Sequence, residues 1–314
     1  MPQHELHVVF GTGALGKWTA RELIRLGRQV RMLSHSGKAD PRIPAEVEVI
    51  QGDAYDTKHN IEMTKGAAAV YQCAQPQYHE WTEKFPPMQQ AILDAASANG
   101  AKFIVGDNLY MYGDTNGQPI REDMPYQAHT KKGKVRGEMA TVVMDAHHAG
   151  KIHAAIGRAS NFFGPDDDAV TSFAIRPALA GKTVNLLGRT DQLHTFSYVA
   201  DFGKLLATLG TREEALGQIW FTPSPAPVTQ VELVKIMEEE LGRKVKFMTA
   251  GRVTLIMLGL FMPTLRESVE MLYEWDKPFI MDSSKAQNAF GLKPTPTEQA
   301  LKETLDWCKT VSAR

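Results

Sequence analysis

Short apolar runs alternate with helical patterns along the first half of the chain. Strands are predicted over Leu6–Phe10, Val30–Leu33, Val47–Ile50, Ala68–Cys73, Lys102–Val105 and Ile152–Ile156. Helical spacing of apolar residues is found over Lys17–Leu26, Pro87–Ala98 and Thr130–His148. Because the strands are apolar throughout and alternate with helices, the pattern predicts an α/β fold with a doubly wound parallel sheet.

The pattern changes after Gly164-Pro165, where prolines and short helical segments become frequent. We expect residues 1–165 to form a first domain, completed by about 195–222. Within that return segment, Ser197–Leu209 is predicted as a helix and Gln218–Phe221 as a strand. Residues 166–194 and 223–314 are expected to form mainly a second, smaller lobe.

Composition narrows the class of protein. The chain has 314 residues, 43% of them hydrophobic and 23% charged, with a formal net charge of -1. This balance gives no basic field for nucleic acid or an anionic membrane. The longest apolar stretch, Val253–Pro263, is too short to span a bilayer and is interpreted as a buried or pocket-lining helix.

Cysteine usage and the beginning of the chain favour a cytoplasmic location. Cys73 and Cys308 are the two cysteines, too few for a disulfide framework or a zinc site. Residues 1–6 carry His4 and Glu5 and lead directly into a predicted strand, so no signal peptide is visible. We predict no metal site.

The turn after the first predicted strand is rich in glycine. It comprises Gly11, Thr12, Gly13, Ala14, Leu15 and Gly16. Gly11 permits a tight turn, Gly13 lets the backbone approach a pyrophosphate, and Gly16 allows close packing of helix on strand. Free N–H groups at the start of the helix would face the phosphates. An ordinary glycine-rich turn is the alternative, but a G-x-G-x-x-G motif between strand and helix favours a nicotinamide dinucleotide.

The end of the second predicted strand indicates which dinucleotide binds. NAD-binding proteins usually place Asp or Glu there to hold the ribose 2′-hydroxyl. This chain instead continues with Ser34, His35, Ser36, Gly37 and Lys38. Hydroxyls, a lysine cation and a partly charged histidine would accept a 2′-phosphate. We therefore expect NADP, with a solvated polar turn as the alternative.

With this loop in place, the chain resembles the extended short-chain dehydrogenase/reductases, the NAD-dependent epimerases and dehydratases. The matching fragments are Gly52-Asp53, Tyr71-Gln72-Cys73-Ala74, Tyr112-Gly113, the segment 158–165, the segment 194–201, Asp282-Ser283-Ser284-Lys285 and Gly291-Leu292-Lys293-Pro294. The resemblance implies a Rossmann fold in which the first domain binds NADP and the second lobe binds substrate. It also implies cofactor contacts from Asp53, Ala54, Ala74, Gln75, Ala159, Asn161 and Phe162.

The family's reaction chemistry rests on a Ser, a Tyr and a Lys, and this sequence departs from that set. Counting back from Tyr112, Asn108 falls in the segment that normally carries the Ser. Lys134 and Glu138 fit the two positions that normally follow the Tyr, which places Thr130 at the Tyr position. The resemblance implies that Lys134 holds the nicotinamide ribose. Asn108 can orient a substrate carbonyl, but a Thr hydroxyl is too weak an acid to replace the Tyr.

Other side chains near this segment can replace the missing proton donor. Tyr110 and Tyr112 flank it, Asp107 could hold a raised pKa if buried, and His129 could titrate near neutral pH. Each has a structural alternative. For the two tyrosines the alternative is packing against neighbouring strands, for Asp107 it is capping of its loop, and for His129 it is a position in a solvated loop.

The second lobe contains an unusual concentration of methionine and aromatic residues. The set comprises Met257, Leu258, Leu260, Phe261, Met262, Met271, Leu272, Tyr273 and Trp275. Together with Tyr78, Trp81 and Phe162, these residues could line an apolar substrate pocket. An ordinary lobe core is the alternative, because methionines also fill irregular cores.

These patterns support two kinds of function. The first is an NADPH-dependent reductase of a small, largely apolar carbonyl or enone, in which Tyr110 or a water supplies the proton. A sugar-type epimerase or dehydratase is the alternative enzyme. The second is a non-catalytic regulatory protein that senses NADP(H). The resemblance is also compatible with a homodimer formed through the helices near Pro87 and Thr130.

Overall fold

The computed structural model describes residues 5–38, 40–167, 170–260 and 263–312. Its strands are β1 (Leu6–Phe10), β2 (Gln29–Ser34), β3 (Glu48–Gln51), β4 (Ala67–Gln72), β5 (Lys102–Asp107), β6 (Ala154–Arg158), β7 (Phe162–Phe163), β8 (Val184–Leu187), β9 (Ser197–Tyr198), β10 (Ile219–Phe221) and β11 (Phe247–Ala250). Seven of them form one sheet in the order β10-β6-β5-β4-β1-β2-β3, and every neighbouring pair is parallel. The predicted doubly wound parallel sheet is therefore confirmed.

Helices alternate with the strands along the chain. They are α1 (Ala14–Arg25), α2 (Thr57–Met63), α3 (Trp81–Ala98), α4 (Lys131–His148), α5 (Arg176–Leu179), α6 (Val199–Thr211), α7 (Gln230–Leu241), α8 (Arg252–Gly259), α9 (Pro263–Ser268), α10 (Tyr273–Asp276), α11 (Ser284–Phe290) and α12 (Thr297–Ser312). Helix α3 begins six residues before the predicted start at Pro87, so that Pro86 and Pro87 lie inside the helix.

Alternate strand residues face two separate hydrophobic layers. Val8 packs in the layer that contains residues of α3 and α4, whereas the next residue, Val9, packs with residues of α1 and α6. Both side chains are fully buried. Apolar residues are therefore needed at successive strand positions, which explains why the strands lack hydrophobic–polar alternation.

The C-terminal half contributes one strand to this sheet and also builds a smaller core. Strand β10 lies beside β6 at the sheet edge, while β8 and β11 form a separate parallel pair. Helix α7 begins with a capping box in which Thr229 and Glu232 satisfy each other's backbone N–H groups. The predicted domain limits at 165 and 195–222 stay predictions. Among the described residues, no helix is long and apolar enough to cross a membrane.

Candidate functional site

The glycine turn between β1 and α1 is built for close backbone contacts. Gly11 has a φ of 103°, and a Cβ there would lie 2.7 Å from the Ala74 nitrogen. A Cβ on Gly16 would lie 2.0 Å from the Gly11 oxygen, so helix and turn pack without space for a side chain. At Gly13, the N-cap residue of α1, a Cβ would meet no atom within 4 Å. The turn thus leaves open space beside the helix N-terminus, which fits a dinucleotide pyrophosphate.

The end of β2 presents polar groups and no acidic side chain. His35 and Lys38 are exposed, while the Ser34 hydroxyl accepts a hydrogen bond from Gly37 N at 3.1 Å. The next acid along the chain is Asp40, whose carboxylate lies 2.7 Å from the Lys17 ammonium. Hydrogen bonds from the Arg42 guanidinium are the main reason that the pKa of Asp40 is lowered. This acid is therefore held by cations and is not free to bind a ribose hydroxyl.

A cavity of about 620 Å³ opens beside the glycine turn. Among the predicted site residues, its lining includes Gly11, Thr12, Gly13, Ala14, Leu15, Ala74, Gln75, Asn108, Tyr110, Ala159, Asn161 and Phe162. Its lining does not include Gly16, Ser34, His35, Lys38, Asp53, Ala54, Thr130 or Lys134. Asp53 is exposed, and its carboxylate accepts a hydrogen bond from Tyr55 N at 3.0 Å.

Helix α4 turns a different face to the cavity from the one that the sequence predicts. Lys134 is exposed, and Thr130 is the N-cap residue, whose hydroxyl accepts a hydrogen bond from Gly133 N at 3.0 Å. The buried cations of this helix are Lys132 and Arg136, one turn apart, and Arg136 lines the cavity. Thr130 is buried at the start of the helix, whereas Lys134 is exposed, and neither lines the cavity. The predicted roles of these two residues stay predictions.

Lys132 has anionic partners from the C-terminal half of the chain. Its ammonium lies 2.6 Å from a Glu267 carboxylate oxygen and 3.2 Å from a Glu270 carboxylate oxygen. It also lies 4.6 Å from the centre of the Tyr78 ring. The Glu270 carboxylate accepts a further hydrogen bond from Lys131 N at 2.9 Å, at the N-terminus of α4. Lys132 therefore joins the start of α4 to the C-terminal segment that carries Glu267 and Glu270.

Asp107 is buried at the end of β5, but it is held in an ion-pair network. Its Oδ1 accepts two hydrogen bonds from the Arg136 guanidinium, and its Oδ2 accepts one from Arg158 Nε at 3.0 Å. Arg158 also donates to the hydroxyl groups of Tyr112 and Tyr126, at 2.6 and 2.7 Å. Asp107 and Tyr112 were both candidates to replace the missing proton donor. Neither role is supported, because both side chains form hydrogen bonds within this buried network.

Asn108 and Tyr110 face the cavity from the segment after β5. Asn108 Oδ1 accepts a hydrogen bond from Tyr110 N at 3.1 Å. This bond fixes the orientation of the Asn108 side chain, including its NH₂ group. Burial raises the pKa of Tyr110, and the nearby Glu274 raises it further. The contact with Tyr78 has a smaller, opposite effect on this pKa. Tyr110 is therefore a protonated phenol in the cavity wall at neutral pH.

Sequence reasoning missed Glu274, a buried carboxyl group next to this cavity. Burial raises the pKa of Glu274 to about 8, although a hydrogen bond from Asn161 lowers it. The Asn161 amide oxygen also lies 3.0 Å from His194 Nε2, and burial lowers the pKa of His194 to about 3. Glu274 lies in a Tyr-Glu-Trp segment with no motif around it, so no signal in the sequence could have found it.

The predicted contribution of the second lobe to an apolar pocket is largely wrong. Met257 and Leu260 are exposed, whereas Met271 and Leu272 are buried away from the cavity lining. Phe261 and Met262 lie outside the described residues, as does the Leu258 side chain. Three other residues predicted for this pocket, Tyr78, Trp81 and Phe162, do line the cavity. The remaining aromatic side chains of the lining are Phe85, Phe202 and Phe279. His129, also predicted as a candidate, is exposed and packs its ring edge-on against Tyr273.

Comparison with known proteins places this site in a family. A sequence model described as "NAD dependent epimerase/dehydratase family" matches residues 8–220. The chain is 23% identical to the Arabidopsis thaliana protein "3beta-hydroxysteroid-dehydrogenase/decarboxylase isoform 2", over 83% of this chain and 52% of that protein. It is 26% identical to the Mus musculus "Sterol-4-alpha-carboxylate 3-dehydrogenase, decarboxylating", over 66% of this chain and 60% of that protein. The chain thus spans about half to three fifths of these relatives.

The fold is also that of solved structures in this class. The crystal structure of UDP-glucuronic acid 4-epimerase from Bacillus cereus, in complex with UDP-glucuronic acid and NAD, aligns with a TM-score of 0.78. The alignment covers 98% of this chain and 99% of that chain at 18% sequence identity. At this identity the likeness establishes the fold alone. The family match, together with the glycine turn, identifies a nicotinamide dinucleotide as the cofactor type of this site.

Proposed function

The chain belongs to the NAD-dependent epimerase/dehydratase family, and we propose that it is an NADP(H)-dependent reductase of a small, largely apolar carbonyl or enone. The observation that carries this proposal is the cavity itself. It joins the glycine turn to Asn108 and Tyr110 within one space, and aromatic side chains form much of its wall. Two curated relatives are named as steroid or sterol dehydrogenases, which also supports an apolar substrate.

NADPH would lie along the glycine turn with its adenosine end toward β2. The open space at Gly13 receives the pyrophosphate, and the exposed His35 and Lys38 offer positive charge to the 2′-phosphate. When bound, NADPH supplies a hydride. Lys134 would hold the nicotinamide ribose, as the family resemblance implies, by turning its exposed side chain toward the cofactor.

The protein's own groups would act on the substrate oxygen. The Asn108 NH₂ group would donate a hydrogen bond that orients the carbonyl, and the Tyr110 hydroxyl would supply the proton. The aromatic wall from Trp81 and Phe85 packs against the apolar part of the substrate and excludes water. The cavity offers few free cations for the phosphates of a nucleotide sugar, since Arg136 is already paired with Asp107.

The test combines cofactor binding with turnover. Calorimetry should give tighter binding of NADPH than NADH, and Lys38→Ala with His35→Ala should reduce that preference about tenfold, equivalent to about 1.4 kcal/mol. Lys58→Ala, which removes an exposed lysine on α2, is the matched control. NADPH oxidation against a panel of ketones and enones should fall about 100-fold in Tyr110→Phe. Equal affinity for both cofactors contradicts the NADP assignment, and no turnover of any carbonyl contradicts the reductase.

An NADP(H)-sensing regulator is the second candidate. It is favoured by Thr130, which stands where the family carries its catalytic Tyr and whose hydroxyl caps α4. A sensor would bind NADPH and NADP⁺ with different affinities and show no turnover. It would also capture a protein partner in a manner that follows the ratio of the two cofactor forms.

A further inference from the structure

Exposed apolar side chains are concentrated in one short segment of the C-terminal half. Among the described residues, eleven large apolar side chains are exposed, and six of them lie within residues 247–260. These six are called the apolar patch: Phe247, Met248, Val253, Ile256, Met257 and Leu260. Single exposed apolar residues are normal on a protein surface, whereas a group of this size marks a surface that binds a partner or a membrane.

The apolar patch combines one face of α8 with the strand before it. Its four helical members recur at the spacing of one helix face, over and just beyond α8: Val253, Ile256, Met257 and Leu260. Leu255, about 200° around the helix from Val253, is buried. The helix therefore has an inner side and an apolar outer side. Phe247 and Met248 lie on β11, which contacts α8.

The charges around the apolar patch have one sign. Residues 242–266 contain five arginines and lysines and no aspartate or glutamate. Lys246 directly precedes β11 and Arg252 begins α8; both are exposed, and neither forms an ion pair within the part of the chain that the structure describes. Lys244, by contrast, pairs with Glu238 at 2.9 Å. The net charge of -1, which gives the chain as a whole no basic field, conceals this local excess of cations.

A second copy of the chain would fit this surface poorly. In a symmetric dimer, each patch would contact the same patch of the other subunit. The cations of residues 242–266 would then face one another, with no acid of that stretch between them, which opposes association. A bilayer with anionic headgroups satisfies both features of the surface, because its acyl chains accept apolar side chains and its phosphates accept cations.

The apolar patch is also connected to the wall of the cavity. Helix α9 contacts both α8 and the segment Tyr78–Glu80. Glu267 of α9 pairs with Lys132 at 2.6 Å, and the Lys132 ammonium lies 4.6 Å from the centre of the Tyr78 ring. Tyr78 lines the cavity. A membrane that binds the patch would therefore lie near this side of the cavity.

We propose that the apolar patch docks this protein on the surface of an anionic lipid bilayer. Helix α8 would lie along the interface, with the patch among the acyl chains and Lys246 and Arg252 at the level of the headgroup phosphates. The docking does not depend on the reaction. One consequence does rest on the proposed reductase function: apolar carbonyl compounds dissolve in a bilayer, so docking would place the cavity near its substrate.

Flotation of the full chain with lipid vesicles tests the docking. The protein should float with vesicles of phosphatidylcholine and phosphatidylglycerol in equal parts, and it should bind them at least about tenfold more tightly than vesicles of phosphatidylcholine alone. Added salt should weaken the binding, because it screens the cations. The proposal is overturned if the protein does not bind the mixed vesicles, or if it binds both kinds of vesicle equally well.

A first pair of variants tests the apolar contribution. Val253→Ser with Met257→Ser should weaken binding to the mixed vesicles at least about tenfold, because two apolar side chains no longer enter the bilayer. Val142→Ser with Phe173→Ser, at two exposed apolar residues outside the patch, is the matched control and should bind like the wild type. Wild-type affinity in the patch variant, or an equal loss in the control, contradicts docking through the patch.

A second pair of variants tests the charge. Lys246→Glu with Arg252→Glu should abolish the preference for anionic vesicles. Lys58→Glu with Lys65→Glu, at two exposed lysines in and just after α2, changes the net charge by the same amount and should keep the preference. If both variants lose the preference equally, net charge alone explains it, and the proposed contact of Lys246 and Arg252 with headgroups is wrong.

Further measurements separate the lipid from other occupants. Analytical ultracentrifugation should give the same molar mass for the wild type and for Val253→Ser with Met257→Ser. A wild-type dimer that this variant dissociates would assign the patch to a contact between copies and overturn lipid docking. A protein that binds the wild type but not the variant, in the absence of vesicle binding, would overturn it likewise.

The outcomes also keep the docking apart from the proposed reaction. All the substituted side chains are exposed, so circular dichroism and thermal melts of the variants should match those of the wild type. Vesicle binding is measured without cofactor or substrate. Absence of carbonyl turnover therefore overturns the reductase and leaves the docking standing, whereas absence of vesicle binding overturns the docking and leaves the reductase standing.

Discussion

Asp107 lies between two guanidinium groups inside the protein, at a position near which the family carries a catalytic Ser. Arg136 and Arg158 are both buried, and each donates to a different oxygen of the Asp107 carboxylate. The second arginine is further satisfied by two tyrosine hydroxyls, Tyr112 and Tyr126. Buried charges are tolerated in this way only when their hydrogen bonds are nearly complete.

Replacing the Asp107 carboxylate by a neutral group should therefore destabilise the folded protein. We expect Asp107→Asn to lower the free energy of unfolding by about 3–5 kcal/mol, because Arg136 and Arg158 keep their charges and lose their counter-ion. Urea unfolding of the two proteins measures the difference. Asp191→Asn, at the exposed pair with Arg189, is the control and should change stability little. Equal losses in both variants would contradict a buried ion-pair role for Asp107.

The role of a residue could be predicted from the sequence only where the backbone conformation requires that residue type. Gly11 and Gly16 are needed for steric reasons that a local motif expresses. Whether Lys134 or Arg136 lines the cavity depends on the rotation of α4, which the Lys-to-Glu spacing at 134 and 138 does not determine. Glu274 owes its character to burial by distant residues, which no local pattern records.

At the level of elements, the turn between β1 and α1 combines two kinds of glycine. Gly16 faces the protein, where a Cβ would overlap the Gly11 oxygen, whereas Gly13 faces open space. The backbone of Gly13 has a φ of -72°, a value that alanine adopts without strain. Within four residues, Gly16 is therefore required for packing of the protein, and Gly13 for the space that a ligand occupies.

Alanine substitutions should reveal this division. Gly13→Ala should leave the melting temperature nearly unchanged but weaken NADPH binding at least about tenfold, because the methyl group occupies the space beside the helix N-terminus. Gly16→Ala should instead lower the free energy of unfolding by about 1–3 kcal/mol, since the helix must move away from the turn. Thermal melts and calorimetry check both. Normal NADPH affinity in Gly13→Ala would show that the pyrophosphate lies elsewhere.

Helix α8 shows where pattern-based reasoning about elements reaches its limit. The apolar stretch Val253–Pro263 predicted a buried or pocket-lining helix. In the structure Val253 is 75% exposed and Ile256, Met257 and Leu260 are also exposed, while Leu255 is buried. An apolar stretch does not say what covers it. For the seven strands of the large sheet, apolar residues face a helical layer on either side, and the positions of these strands were predicted within one or two residues.

On the scale of the whole molecule, the order of elements determined the fold. Alternating strands and helices permit few topologies once parallel crossovers are right-handed, so the sheet followed from the sequence. The relation between the two parts of the chain did not follow, because it depends on contacts between distant residues. Lys132 of α4 pairs with Glu267 and Glu270, more than 130 residues away. The cavity lining likewise combines residues from distant parts of the sequence, so it could not be predicted from local patterns.

The buried titratable groups also give the molecule a stability that depends on pH. Burial lowers the pKa of His7 from 6.5 to about 4 and that of His194 from 6.5 to about 3. The native state therefore binds fewer protons than the unfolded chain below pH 6.5, and stability falls as the pH falls. Glu274 has the opposite shift, from 4.5 to about 8, so its contribution to stability is complete below pH 4.5 and is lost as the pH rises to about 8.

These opposing shifts predict a stability maximum near pH 6.5. Each group changes the free energy of unfolding by about 1.4 kcal/mol per pH unit within its window. Between pH 4.5 and 6.5 the two histidines outweigh Glu274, so stability rises; above pH 6.5 only the Glu274 loss remains among these three groups. Urea midpoints measured across this range should follow the curve. In Glu274→Gln the decline between pH 6.5 and 8 should largely disappear, whereas Glu239→Gln, an exposed control, should keep it. Parallel curves for the wild type and Glu274→Gln would mean that Glu274 is already ionised at pH 6.5 in the folded protein, which would contradict this prediction.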